Sequence, residues 1–188
     1  MPPYAELEVT TNFSFLRSAS HPAEMAKTAA ALGLSAVAVA DRNTLAGVVR
    51  AHQAAKQAGI KLVVGARLDL QDAPSMLCFP TDRAAYGRLS TLITLGRRRA
   101  AKGECEIRLE DVFAHSGGQV FISLPPSGMG PEPDAAYTAH LRRLREILGR
   151  DVWLAARCRY HGNDGARLWA LARLAVDVNI PMVATNDV

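Results

Sequence analysis

The sequence predicts an α/β fold in which repeated strand–helix units build a parallel sheet with helices outside it, either doubly wound or closed as a barrel. Two observations carry this. Short, valine-rich apolar runs recur, most clearly AVAVAD at 36–41, as a buried parallel strand requires. Between them lie alanine-rich amphipathic stretches that end on glycine, as at Gly33 and Gly59.

Taken in order, AELEV (5–9) alternates as a first strand. SHPAEMAKTAAALG (20–33) reads as a helix, with Ser20 as N-cap, Pro22 in the first turn and Gly33 as the stop. After the 36–41 strand, TLAGVVRAHQAAKQAG is a second helix closed by Gly59. KLVVGARLDL (61–70) reads as one third strand, with SMLCF (75–79) returning beside it as a hairpin. DRAAYGRLSTLITLGRRRA is a helix with a basic end, LEDVFAH a short helix and QVFISL a strand. The prolines and glycines of PSGMGPEP make a loop. AAYTAHLRRLREILG is an amphipathic helix, DVWLAARC a strand, GARLWALARLAVDVN a helix and IPMVATNDV a last strand. No internal repeat and no low-complexity linker interrupts the series. The sequence stops at ATNDV, on the strand edge that carries ligands in parallel α/β folds, so it reads as a piece of a longer chain.

Bulk properties bound the function. The 188 residues suit one domain with a real core, and 49% hydrophobic with 21% charged residues excludes a disordered chain. A net charge of +4 is compatible with a nucleic-acid partner, but taken alone a plain solvated surface is the preferred explanation. Three well-separated cysteines, Cys78, Cys105 and Cys158, make neither a disulfide framework nor a zinc ribbon and point to a reducing cytosol. MPPYAELEV is no signal peptide, and no apolar run is long enough to span a bilayer, so no membrane partner is expected.

The local motifs are weak. His21, His52, His115, His140 and His161 are scattered without HxH, HxxxH or HExxH spacing, and surface or helix-end roles suit them better than metal ligation. His161, in RYHGNDG, is the best exception. The basic runs GRRRAAKG (96–103) and LRRLR (141–145) could meet DNA phosphates, but cations at a helix C-terminus also favour the dipole, and that structural reading is preferred. Neither run has interleaved aromatic residues for base stacking, and no Walker-type phosphate loop is present.

Four stretches, NFSFLRSASHPAEM (12–25), AVADRNTLAGVVRAHQAAKQAGIKLVVGARL (38–68), TDRAAYGRLSTLITLGRRRAAKGEC (81–105) and PMVATNDV (181–188), carry a resemblance in order and spacing. They resemble the N-terminal PHP (polymerase and histidinol phosphatase) domain of the bacterial DNA polymerase III α subunit, most of all its error-prone paralogue. The resemblance implies a distorted (β/α)7 barrel over residues 1–188, incomplete in this chain, with the remainder of a polymerase chain as its partner. DNA and mutagenesis accessory proteins are further implied partners. Metal-binding members of the family hold up to three ions at the carboxyl ends of the strands. At the matching positions this chain has Glu6, Glu8 and Thr10 in the first strand, Asp41 followed by Arg42 after the second, and Arg67 after the third. Pro125 or Pro126 takes the place of a cysteine or histidine, and Asp187 remains in the last strand.

Glutamate can ligate a metal, but arginine stays protonated and offers only donors. Two like charges about 4 Å apart repel by roughly 4 kcal/mol at an effective dielectric near 20, and a divalent ion would be opposed more strongly. The expectation is therefore that Arg42 and Arg67 stand in for lost metal and pair with Glu6, Glu8, Asp41 or Asp187, the plainer alternative being that these side chains simply point to water. That implies no catalytic residue and no cofactor in this domain. It would be a structural part of an error-prone DNA polymerase in the cytoplasm, acting in damage-induced mutagenesis and translesion synthesis, where the parent enzyme needs magnesium. The competing expectation is a metal-dependent phosphoesterase or 3′→5′ exonuclease in which Glu6, Glu8, Asp41 and Asp187 hold manganese, magnesium or zinc. A third is a non-enzymatic DNA-binding module.

Overall fold

Valine and alanine alternate along the strand that the sequence marks most clearly, and the structure uses both of its faces. The computed structural model describes residues 3–126, 134–158, 160 and 162–188. Strand β2 (Ala36–Val39) lies between β1 (Ala5–Val9) and β3 (Lys61–Val64), all parallel. Val37 packs outward with Ala26 and Ala29 of helix α1 (Pro22–Ala31) and Ala54 and Ala55 of α2 (Val48–Ala58). Ala38 and Ala40 turn the other way, against Leu77, Phe79, Ile122, Leu124 and Ala155. A ring of few strands leaves little room inside, which is why the inward positions of β2 are alanines.

The second sheet has the order β4 (Ala66–Leu68), β5 (Met76–Pro80), β6 (Gln119–Ser123), β7 (Val152–Ala156), β8 (Met182–Ala184). It is mixed: β5 is antiparallel to both neighbours, and β6, β7 and β8 run parallel. The hairpin read from the sequence accounts for the β4–β5 pair. Helices α3 (Arg83–Arg99), α4 (Leu109–Ala114), α5 (Ala135–Leu148) and α6 (Asp164–Asp177) cover this sheet through a core that includes Leu89, Leu92, Val112, Phe121, Leu141, Leu154 and Leu171.

Among the described residues, no continuous ladder joins the two sheets. At one seam Arg42 and Arg67 form an isolated parallel bridge, with Arg67 N–H donating to the Asp41 carbonyl at 3.0 Å and Asn43 N–H to the Arg67 carbonyl at 2.8 Å. At the other, Val188 N–H donates to the Glu8 carbonyl at 3.1 Å and Thr10 N–H to the Val188 carbonyl at 2.7 Å. Counting β3 and β4 as one interrupted strand gives seven positions around a distorted barrel whose ladder is not closed.

Two local expectations are corrected. The third strand is not continuous over 61–70 but breaks at Gly65, because the Phe79 ring occupies the space above it. A Cβ there would lie 2.4 Å from Phe79 Cδ1 and 2.9 Å from the Cys78 carbonyl oxygen. Gly65→Ala is expected to destabilise the chain by about 1–3 kcal/mol through this overlap, read as a lower urea midpoint. An unchanged midpoint would show that the ring moves freely. The first helix is capped at His21, not Ser20: His21 is extended (φ −73°, ψ 150°) and its N–H donates to Glu24 Oε2 at 2.7 Å. Pro22 then fills the first helical position, where no N–H is needed. Residues 127–133, the bulk of the PSGMGPEP loop, and His161 lie outside the described residues.

Candidate functional site

Strands that run parallel bring their carboxyl ends to one side of a barrel, and charged residues just beyond those ends meet there. Here β1 supplies Glu8, β4 supplies Arg67 with Asp69 following, β7 is followed by Arg157 and β8 by Asp187. Glu8 sits at the centre and is 1% exposed. Its Oε1 lies 3.4 Å from Arg67 Nη1 and 3.5 Å from Arg157 Nη1, and its Oε2 accepts from the Thr185 hydroxyl at 2.8 Å. Asp187 bridges the same two arginines, at 2.6 Å from Arg157 Nη1 and 3.6 Å from Arg67 Nη1. Asp69 closes the array on the far side. It accepts from Arg67 Nε at 3.0 Å, the Ser75 hydroxyl at 2.7 Å and Arg42 Nη1 at 2.9 Å.

The electrostatics follow from burial. Desolvation lifts the Glu8 carboxyl above its ordinary value, and the repulsion of Asp187 adds to this against the pull of Arg157 and Arg67. Desolvation also acts on Asp69, but there the Ser75 hydroxyl and the Arg42 and Arg67 guanidiniums outweigh it and hold the carboxyl below the usual range.

The other predicted positions stand apart from this array. Asp41, buried beside it, is held by hydroxyls and an amide. Thr11 N–H and Thr11 Oγ1 donate to it at 2.8 Å each, and Ser14 Oγ at 2.7 Å. Gly47 makes room for this carboxylate, since a Cβ there would lie 2.9 Å from Asp41 Oδ2. Glu6 accepts from the Tyr4 hydroxyl at 2.7 Å, Glu8 N–H at 2.9 Å and Asn186 N–H at 3.3 Å. Thr10 takes part through its backbone N–H to Val188. Pro125 and Pro126 line the cleft that Arg42, Arg67, Arg157 and Asp187 also line.

The expected pairing is therefore corrected in part. Arg67 does meet Glu8 and Asp187, but Arg42 meets none of the four expected carboxylates and pairs with Asp69. The reason is geometric. Asp69 lies two residues beyond Arg67, on the same face of the extended chain, and the Arg42–Arg67 bridge carries Arg42 alongside. Sequence reasoning missed Asp69 and Arg157. The available signals were the i, i+2 spacing in ARLD and a charged residue placed directly after the apolar strand VWLAA.

Among the described residues, no histidine lines the cleft. His21 contacts Asn12, His115 Nδ1 lies 2.8 Å from the Asp111 carbonyl and His140 stacks near Tyr137. The basic runs are tied within the fold: Arg97 to the Asn43 carbonyl, Arg99 to Asp111, Arg142 to Asp177 and Arg143 to Glu110. Among the described residues, no three His, Cys, Asp or Glu side chains are placed to hold one metal ion. Every carboxylate oxygen of Glu6, Glu8, Asp41, Asp69 and Asp187 faces a protein hydrogen-bond donor or guanidinium within 3.6 Å. Each of these oxygens is thus already engaged by groups of the chain itself. No helix among these residues is long and apolar enough to cross a membrane.

The family described as PHP domain matches residues 6–157. The error-prone DNA polymerase of Caulobacter vibrioides is 50% identical over 188 residues, covering 100% of this chain and 17% of that protein. Error-prone DNA polymerase 2 of Agrobacterium fabrum is 48% identical over 185 residues, with 98% and 17% covered. The chain thus spans about a sixth of the length of these relatives. Two solved structures share the fold at low identity. A metal-dependent phosphoesterase from Bifidobacterium adolescentis superimposes with a TM-score of 0.73 at 16% identity, covering 100% of this chain and 88% of the other. An amidohydrolase from Chromobacterium violaceum, solved with bound sulfate and no metal, gives 0.75 at 14%, covering 97% and 86%.

Proposed function

The chain belongs to the PHP domain family, and from that premise we propose that it is the PHP region of an error-prone DNA polymerase, serving as a non-catalytic structural element whose metal pocket is occupied by its own guanidinium groups. The observation that carries the reading is Glu8, buried between Arg67 and Arg157 with Asp187 across from it. A cation at that point would displace two positive side chains from their carboxylates and face both of them at short range. The relatives' names support the polymerase part, and their length supports a chain in which this barrel braces a larger body. On this reading the polymerase chemistry, its magnesium and its part in translesion synthesis in the cytoplasm belong to the rest of such a chain. The residues here act by holding the barrel's ends together.

Metal analysis of the purified chain after exposure to manganese and zinc is the test, together with assays for phosphoester hydrolysis, 3′→5′ nucleotide release and primer extension. Well under one ion per chain and no turnover in any assay is the expected result. A stoichiometric transition metal, with hydrolysis that a chelator abolishes, would refute the structural reading and restore the phosphoesterase. Primer extension by these residues alone would refute the assignment to a non-polymerising domain.

A further inference from the structure

Helix α6 is apolar on two sides. Its inner side packs on the second sheet through Leu171, Leu174 and Ala175. Its outer side carries Ala166, Trp169, Ala172 and Val176, spaced three or four residues apart and so on one face. Trp169 is 62% exposed and Val176 82%. This outer face runs on into an open apolar cleft of about 530 Å³ lined by Ala172, Val176, Ile180, Pro181 and Met182. An exposed apolar surface of this kind, edged by charge, marks a contact with another macromolecule. Arg173 lies over the Trp169 ring at 4.7 Å and, among the described residues, makes no ion pair. Asp177, one turn further on, commits Oδ2 to Arg142 Nη2 at 2.8 Å and keeps Oδ1 for another donor.

We propose that this face pairs with the same face of a second copy of the chain, the two α6 helices lying antiparallel about a two-fold axis at the level of Ala175. The surface is self-complementary, as a two-fold interface requires. Such an axis sets residues equally far from Ala175, before and after it, opposite one another. Arg173 then meets the partner's Asp177, and Asp177 meets the partner's Arg173. Trp169 lies opposite the partner's Pro181, so its ring enters the cleft beside Val176 and Met182. One surface thus supplies both the aromatic knob and the apolar hole, and the symmetry uses each twice. A wholly apolar partner would leave Arg173 and Asp177 without opposite charges, and a small ion would leave the apolar stripe in water. The inference goes beyond the structural reading of the arginine-lined cleft and does not depend on what that cleft holds.

Sedimentation equilibrium of the purified chain at physiological salt is the test, with circular dichroism confirming that each variant is folded. A reversible dimer is expected, with a dissociation constant on the order of 100 μM, as suits a small interface. W169A should weaken it by about tenfold or more. R98A, on the exposed side of α3, should leave it unchanged. R173E sets a carboxylate against the partner's Asp177, and D177R sets a guanidinium against the partner's Arg173. Each alone should weaken association by about tenfold or more. An equimolar mixture of R173E and D177R should dimerise again, because both contacts across the axis then join opposite charges. A chain that stays monomeric up to about 1 mM overturns the proposal and leaves this face to the remainder of a longer polypeptide. A dimer that survives W169A, or a mixture that stays monomeric while the parent associates, overturns it as well. None of these results bears on the metal content of the arginine-lined cleft, so the two readings fail separately.

Discussion

Arg157→Met is expected to destabilise the chain by about 3 kcal/mol, lowering the melting temperature by roughly 6–12 °C. Arg157 is 4% exposed at its side chain and Glu8 1%, so neither charge can turn to water when the other is removed. The variant leaves Glu8 with Arg67 alone and strips Asp187 of its 2.6 Å partner. Glu8→Gln/Arg157→Met should recover part of the loss, because the cost lies in the unpaired buried charge and not in the pair itself. A single variant within about 0.5 kcal/mol of the parent would mean that the cluster is solvated and does not hold the barrel.

The pH dependence of the same site has a definite sign. The folded Glu8 carboxyl binds its proton more tightly than the unfolded one, whose ordinary value is 4.5. Its contribution is fully present below that value and is lost as pH rises through the raised folded one. Asp69 acts oppositely: its carboxyl is held low, so its contribution is present above the ordinary carboxylate range and is lost as pH falls through its folded value. Glu8→Gln removes only the first of these. Its stability relative to the parent should therefore improve as pH is raised from 4.5 toward neutrality, measured by urea unfolding at each pH. A difference that stays flat or runs the other way would show that the arginines, not desolvation, govern Glu8.

Asp41→Ala is the second large effect, also expected at about 3 kcal/mol. The carboxylate is 1% exposed and takes three hydrogen bonds from Thr11 and Ser14, which are themselves buried. Truncation leaves the Thr11 amide and the two hydroxyl protons without an acceptor in the space that Gly47 leaves open. Asp41→Asn keeps one acceptor oxygen and should cost about half as much. Amide hydrogen exchange over residues 10–17 would localise the change, since this loop takes its order from Asp41. Protection unchanged in Asp41→Ala would show that the loop is held by other contacts.

Much of this fold is written locally. Gly33 and Gly59, both at positive φ, end the first two helices where the sequence places the stops. Asp82 and Asp134 cap α3 and α5 through their own side chains, accepting from Ala85 and Tyr137. Each of these signals acts within a few residues, which is why a single sequence reveals them. The candidate site is different. Arg67 could be singled out from its position in GAR, yet its nearest carboxylate partner, Asp69, was read as part of an unbroken strand. Nothing in the residues around Arg157 says that Glu8 will lie across the barrel.

By itself, the amino-acid sequence determined the succession of strands and helices and the uncharged interior of the second strand, because periodicity, capping and residue chemistry are properties of short stretches. Only the tertiary structure decided that Glu8 shares its charge with Arg67 and Arg157, that Arg42 turns to Asp69, that Asp41 and Glu6 are held separately and that the third strand divides at Gly65. Those outcomes depend on which strand ends become neighbours and on where the Phe79 ring comes to rest, and residues 149 positions apart, such as Glu8 and Arg157, have no neighbourhood until the barrel forms.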